Sequence, residues 1–99
     1  MININKMRVK MIDKFFNNID EEQKQAFGNI LKSYPFEVND YTTANKLGIL
    51  LSKAFPLYFF RCIPLPDEND VIFRIFHLKN NFIVPITVTK YSELIKEFT

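Results

Sequence analysis

Two arginines set among apolar neighbours, Arg61 in Phe59-Phe60-Arg61-Cys62-Ile63 and Arg74 in Ile72-Phe73-Arg74-Ile75-Phe76, are the residues here best suited to binding chemistry. A guanidinium offers a planar fork of donors that grips a phosphate or carboxylate through two parallel hydrogen bonds. The pair flanks an acidic turn, and a hairpin centred between Asp67 and Glu68 sets Arg61 directly across from Arg74. Like charges in that position repel, so the arrangement calls for an anion between them or for acids that cover them. Side-chain alternation puts Phe59 and Phe76 on the same face, where aromatic rings can stack on bases. Two readings stay open: an exposed face that binds something anionic, or a covered face whose arginines lie along apolar surface with their heads paired to Glu93 or Glu97.

Other constellations carry less. Asp67, Glu68 and Asp70 lack the glycine and alternating ligands of a calcium loop and read as a solvated turn. Pro66-Asp67 is followed by Phe73-Arg74-Ile75, not by the acid-x-Lys of a metal-dependent nuclease. His77 and Cys62 are each the only one of their kind, which excludes a zinc site of three or four nitrogen and sulfur ligands within one chain. They fall on one predicted strand face, but no third group there could orient them for nucleophilic work. Gly28 and Gly48, the two glycines, cannot build a phosphate-cradling loop or a nucleophile elbow, and the strands lack the glycines of the RNA-recognition motif. The chain is therefore read as a non-catalytic binding protein with no cofactor and no metal.

Basic residues gather locally: Lys6, Arg8 and Lys10 near the N-terminus with Asp13 the only nearby acid, Lys53 in the middle, and Lys79 beside Asn80-Asn81. The first group suits phosphate contact and equally suits a solvated helix face. Thr43-Ala44-Asn45-Lys46-Leu47-Gly48-Ile49, with Ala four residues before Gly, resembles a helix-turn-helix over Thr43 to Ala54. With the later hairpin as a wing, that resemblance implies a winged-helix-like DNA binder, with Ser52, Lys53 and Lys79-Asn80-Asn81 facing DNA. Pro56 stands against it, since it would break the recognition helix. An ordinary amphipathic helix, with Gly48 permitting close packing, accounts for the same residues.

The elements that must position these groups follow from periodicity and punctuation. Met1 to Phe16 places Ile4, Met7, Met11 and Phe15 at helical spacing. Asp20, with Gln23 three residues on, predicts a capped helix over Glu21–Ser33 with Ala26, Phe27, Ile30 and Leu31 on one face, ending before Pro35. After an extended or turn segment from Phe36 to Tyr41, Thr42 or Thr43 caps a third helix running to Ala54, with Leu47, Leu50, Leu51 and Ala54 inward. Strands are expected over Leu57–Ile63, Val71–Leu78 and Phe82–Val88, the last two joined by a tight turn at Asn80-Asn81. The core face should carry Tyr58, Phe60, Cys62, Val71, Phe73, Ile75, His77, Phe82, Val84, Ile86 and Val88. Thr89 then caps a final helix carrying Tyr91, Leu94, Ile95 and Phe98. The expectation is an α+β fold: three N-terminal helices, a three-stranded antiparallel meander and a C-terminal helix, winged-helix-like in order.

At 99 residues the chain is read as one domain, and 47% hydrophobic residues supply its core. A net charge of +2 is too small to argue a partner from the whole-molecule field, so any anion binding must be local. One cysteine in an apolar run fits a cytoplasmic setting, and no segment has the length and apolarity of a membrane span. The richness in Ile, Lys, Asn and Phe matches an A+T-rich coding sequence, as in a low-GC microbe, phage or other mobile element. Nucleic acid is the leading expected partner. The alternative is a protein partner or a homodimer, with this chain as an accessory or inhibitor using an apolar sheet face or edge.

Overall fold

The computed structural model describes residues 12–34 and 40–99, which build α1 (Asp13–Phe16), α2 (Glu21–Ser33), α3 (Tyr41–Ala54), β1 (Tyr58–Leu65), β2 (Asp70–Lys79), β3 (Phe82–Lys90) and α4 (Tyr91–Ile95). Short 3-10 turns at Pro66–Glu68 and Lys96–Phe98 complete the chain. The fold is α+β, with an antiparallel sheet in the order β1-β2-β3 and a C-terminal helix. No described helix is long and apolar enough to cross a membrane. Lys6, Arg8 and Lys10 lie outside the described residues, as does most of the first expected helix.

Local chemistry explains the boundaries. Asp20 forms the predicted capping box: Gln23 N donates to its carboxylate at 2.7 Å, and Asp20 N donates to the Gln23 side chain at 3.0 Å. The cap of α3 is Asp40, whose carboxylate accepts from Thr43 N at 2.7 Å, so Tyr41 belongs to the helix and neither Thr42 nor Thr43 caps it. That backbone donor at Thr43 also holds the Asp40 carboxyl below its ordinary pKa. Within α3, Ala44, Leu47, Gly48 and Leu51 are buried, whereas Leu50 and Ala54 are exposed, as Ala26 is on α2.

The sheet follows the expected symmetric register, with Arg61 opposite Arg74 and Phe59 opposite Phe76. Asn80 and Asn81 both take positive φ, the geometry that lets a two-residue turn match strand twist. One departure reorganises β3. Ile75 pairs with Thr87 and Phe76 with Pro85, leaving Ile86 as an extra bulged residue. The bulge reverses the alternation beyond it. Val88 therefore moves off the expected core face to lie across from Arg74, half exposed, while Thr87 turns inward, its buried hydroxyl making no hydrogen bond. Phe82 and Val84 keep the predicted side but project past the helices and are exposed.

The core lies between the helices and one face of the sheet. Phe15 is its centre, with the rings of Phe27, Tyr58 and Phe60 at centroid distances of 5.2, 5.0 and 5.5 Å. Leu31, Leu51, Phe73, Ile75 and Leu94 fill the space around them. The start of α4 is held by Asp70, not by the expected Thr89. Ser92 donates to the Asp70 carboxylate through its N–H at 3.1 Å and its hydroxyl at 2.5 Å. Asp70 is thus a buried structural acid and not part of a solvated turn, whereas Glu68 pairs with Lys90 at 3.2 Å on the surface.

Candidate binding surface

The helices occupy one face of the sheet and leave the other uncovered among the described residues. On that open face Phe59, Arg61 and Ile63 of β1 pair with Phe76, Arg74 and Ile72 of β2, and β3 adds Ile83, Pro85 and Val88. Both arginines are exposed, and neither forms an ion pair or a hydrogen bond among the described residues. Glu93, one of the acids expected to cover them, pairs instead with Lys96 at 3.6 Å. The rings of Phe59 and Phe76 touch at a centroid distance of 5.8 Å. The expected quartet of two arginines and two phenylalanines is therefore assembled as one patch.

A second wall stands beside it. Thr43 to Ala54 forms part of one unbroken helix, so there is no turn at Gly48 and no helix-turn-helix in this segment. The glycine serves packing: a Cβ there would stand 3.0 Å from the Phe60 carbonyl oxygen, so its absence lets α3 ride on the outer edge of β1. Ser52, expected to face DNA, accepts from Phe60 N at 3.0 Å and donates to the Gly48 carbonyl at 2.8 Å, which ties helix to strand. Tyr41, Asn45, Ile49 and Lys53 then recur every four residues and form a ridge along α3. Between that ridge and Phe59, Arg61 and Ile63 runs an open groove of about 1000 Å³ with no carboxylate among the described residues of its lining.

The placement of the expected site residues is thus uneven. Lys53, Phe59, Arg61, Arg74 and Phe76 share one continuous surface, because the Phe59 and Arg61 side chains belong to both groove and sheet face. Lys79 stands apart at the β2–β3 tip, five residues from Arg74, roughly 16 Å along an extended strand. Tyr41, Asn45 and Ile49 did not figure among the candidates. Their four-residue spacing with Lys53 was readable, but the leucines of the same helix dominated its pattern.

The remaining reactive side chains are committed elsewhere. Cys62 is buried, and desolvation pushes its thiol up to about 12, so it behaves as an apolar core residue. Cys62 pairs with Phe73 while His77 pairs with Tyr58 and stacks on its ring at 5.1 Å, which separates cysteine and histidine by four strand positions. Among the described residues no group of His, Cys, Asp and Glu is placed to hold a metal ion. No protein-family model matches the chain, and no curated protein or solved structure matches it.

Proposed function

We propose that this is a small, non-catalytic nucleic-acid-binding protein of the cytoplasm, acting through the open sheet face. The observation that carries this reading is the directly opposed Arg61/Arg74 pair, exposed and without an acid partner among the described residues, beside the touching rings of Phe59 and Phe76. Two guanidinium groups held against each other gain most from a ligand that brings negative charge to both, and a phosphodiester chain does so while offering bases to the rings.

The test is binding of fluorescent single- and double-stranded oligonucleotides at about 50 and about 200 mM salt, where counterion release makes true phosphate contact salt-sensitive. Micromolar or tighter binding at low salt that weakens steeply at higher salt is expected, with Arg61→Ala and Arg74→Gln each weakening it. Because it relieves cross-strand repulsion, Arg74→Gln should also leave the free protein slightly more stable, by a few tenths of a kcal/mol. No binding at low salt overturns the proposal.

A second reading, a protein partner, is favoured by the exposed aliphatic residues Leu57, Leu78, Ile83 and Val88 around the cations. An association that ignores salt and is lost in Ile83→Asp and Val88→Asp would identify it. A sheet edge is a poorer candidate, because Ser52 occupies the edge of β1 and a bulge beside Pro85 interrupts β3.

A further inference from the structure

We infer that the ligand is a single-stranded nucleic acid, DNA or RNA, whose backbone runs along the groove between α3 and β1 before crossing the sheet at Arg74. This rests on the nucleic-acid reading above and adds to it the path and the strand class. Three observations carry it. The cations Lys53, Arg61 and Arg74 follow one another from the helix ridge across the edge strand to the central strand, and among the described residues no carboxylate lines the groove they border. Two aromatic rings are exposed along that path, Tyr41 with 70% of its surface and Phe59, which also touches Phe76, with 42%. The cations also flank a groove and a strand face, and the helix that carries Lys53 is packed down on β1, its ridge shared with Tyr41 and Ile49.

Each observation favours one strand over two. A duplex keeps its bases stacked inside and is read by an element that enters a groove of the DNA, and α3 is held down on β1 by Ser52 and Gly48, with a wall of β1 side chains beside it. A single strand can turn its bases outward onto Tyr41 and Phe59 while its phosphates meet the three cations. RNA and DNA share that chemistry, and the groove's hydroxyl and amide groups at Thr42 and Asn45 are where a 2′-hydroxyl would be sensed.

The deciding experiment is fluorescence anisotropy with labelled oligo(dT), oligo(rU) and a mixed-sequence duplex, each of about twelve units, against the full chain and exposed-site variants. Single strands should bind at least about tenfold tighter than the duplex. Three contacted phosphates at about 0.7 each predict a log–log salt slope near −2, and Lys53→Gln should reduce its magnitude by about 0.7. Tyr41→Ala should weaken binding roughly fivefold or more. Both residues are exposed, and unchanged circular dichroism melts will show that the variants fold. Unaltered binding by Lys53→Gln and Tyr41→Ala overturns the groove path whichever oligonucleotide is preferred, and equal affinity for duplex overturns the strand class. In either case the sheet-face function stands if Arg74→Gln still weakens binding. If no oligonucleotide binds, both proposals fall and the protein-partner reading takes their place.

Discussion

An exposed arginine pair and a buried thiol show how differently one strand treats its two faces. Arg61 keeps its charge in water on the open face, while the next residue, Cys62, turns inward where ionisation is penalised. Burial raises the Cys62 pKa from 9.0 to about 12, so the folded protein holds this proton more tightly than the unfolded chain. The stabilisation is therefore complete below about pH 9 and is lost as pH rises through the interval up to about 12. Burial shifts Tyr34, Tyr58 and Tyr91 in the same direction, adding to alkaline destabilisation. Urea midpoints should be flat near neutrality and fall above about pH 9, with a shallower fall in Cys62→Val. At pH 8 the native thiol should resist alkylation that proceeds readily in denaturant. Rapid native alkylation would show that Cys62 is open to solvent.

At the scale of elements, the two glycines of the chain permit different contacts, and substitution should separate them. Gly28 on α2 faces the ring of Phe98, which a Cβ would meet at 2.4 Å. That ring is half-buried against Phe16 and Phe27 at 5.9 and 6.0 Å and gives way only by loosening those contacts, so the gain in helix propensity, about 1 kcal/mol, offsets part of the loss and Gly28→Ala should cost less than about 1 kcal/mol. Gly48 faces the backbone carbonyl of Phe60, which is fixed in the sheet and cannot yield alone. Gly48→Ala should cost about 1–3 kcal/mol despite the same propensity gain, and thermal melts of the two variants measure the difference. Such contrasts mark what the sequence makes legible. Asp20-x-x-Gln23 announced its own helix, and the symmetric acidic turn announced the arginine register, because each signal is complete within a few residues. Asp70 holding the start of α4 through Ser92, 22 positions away, and the bulge at Ile86 depend on tertiary packing and leave no local mark. The bulge also decided the site: it alone brought Val88 beside Arg74 and turned Thr87 inward. Half of the candidate surface, Arg61, Arg74, Phe59 and Phe76, was readable from strand alternation, whereas the spacing of its helical wall, Lys53 apart, was hidden behind the leucines of the same helix.

For the whole molecule, the decisive question is whether the groove can loosen without the protein unfolding. Its walls, α3 and β1, meet through the same aromatic cluster, since Phe15 touches Phe55 at the end of α3 at 5.9 Å and Phe60 within β1 at 5.5 Å. Among the described residues the buried apolar side chains form one contiguous cluster reaching from Ile12 to Leu94. A domain organised around one core should unfold as a unit, with no state in which the sheet survives and the helices have melted. Removing the central ring tests this directly. Phe15→Ala should cost about 3–5 kcal/mol, a large share of the 5–15 kcal/mol typical of such domains. Far-ultraviolet circular dichroism, tyrosine fluorescence and oligonucleotide binding should then fall in one shared urea transition, shifted to lower denaturant. If binding were lost well before the secondary structure, the groove would be a separately yielding part of the molecule. Coincident transitions mean that the surface proposed to bind nucleic acid is lost only together with the core beneath it. Its backbone frame then needs no ordering on binding, and the cost that remains is immobilising the exposed Lys53, Arg61 and Arg74 side chains, about 0.5–1.5 kcal/mol each.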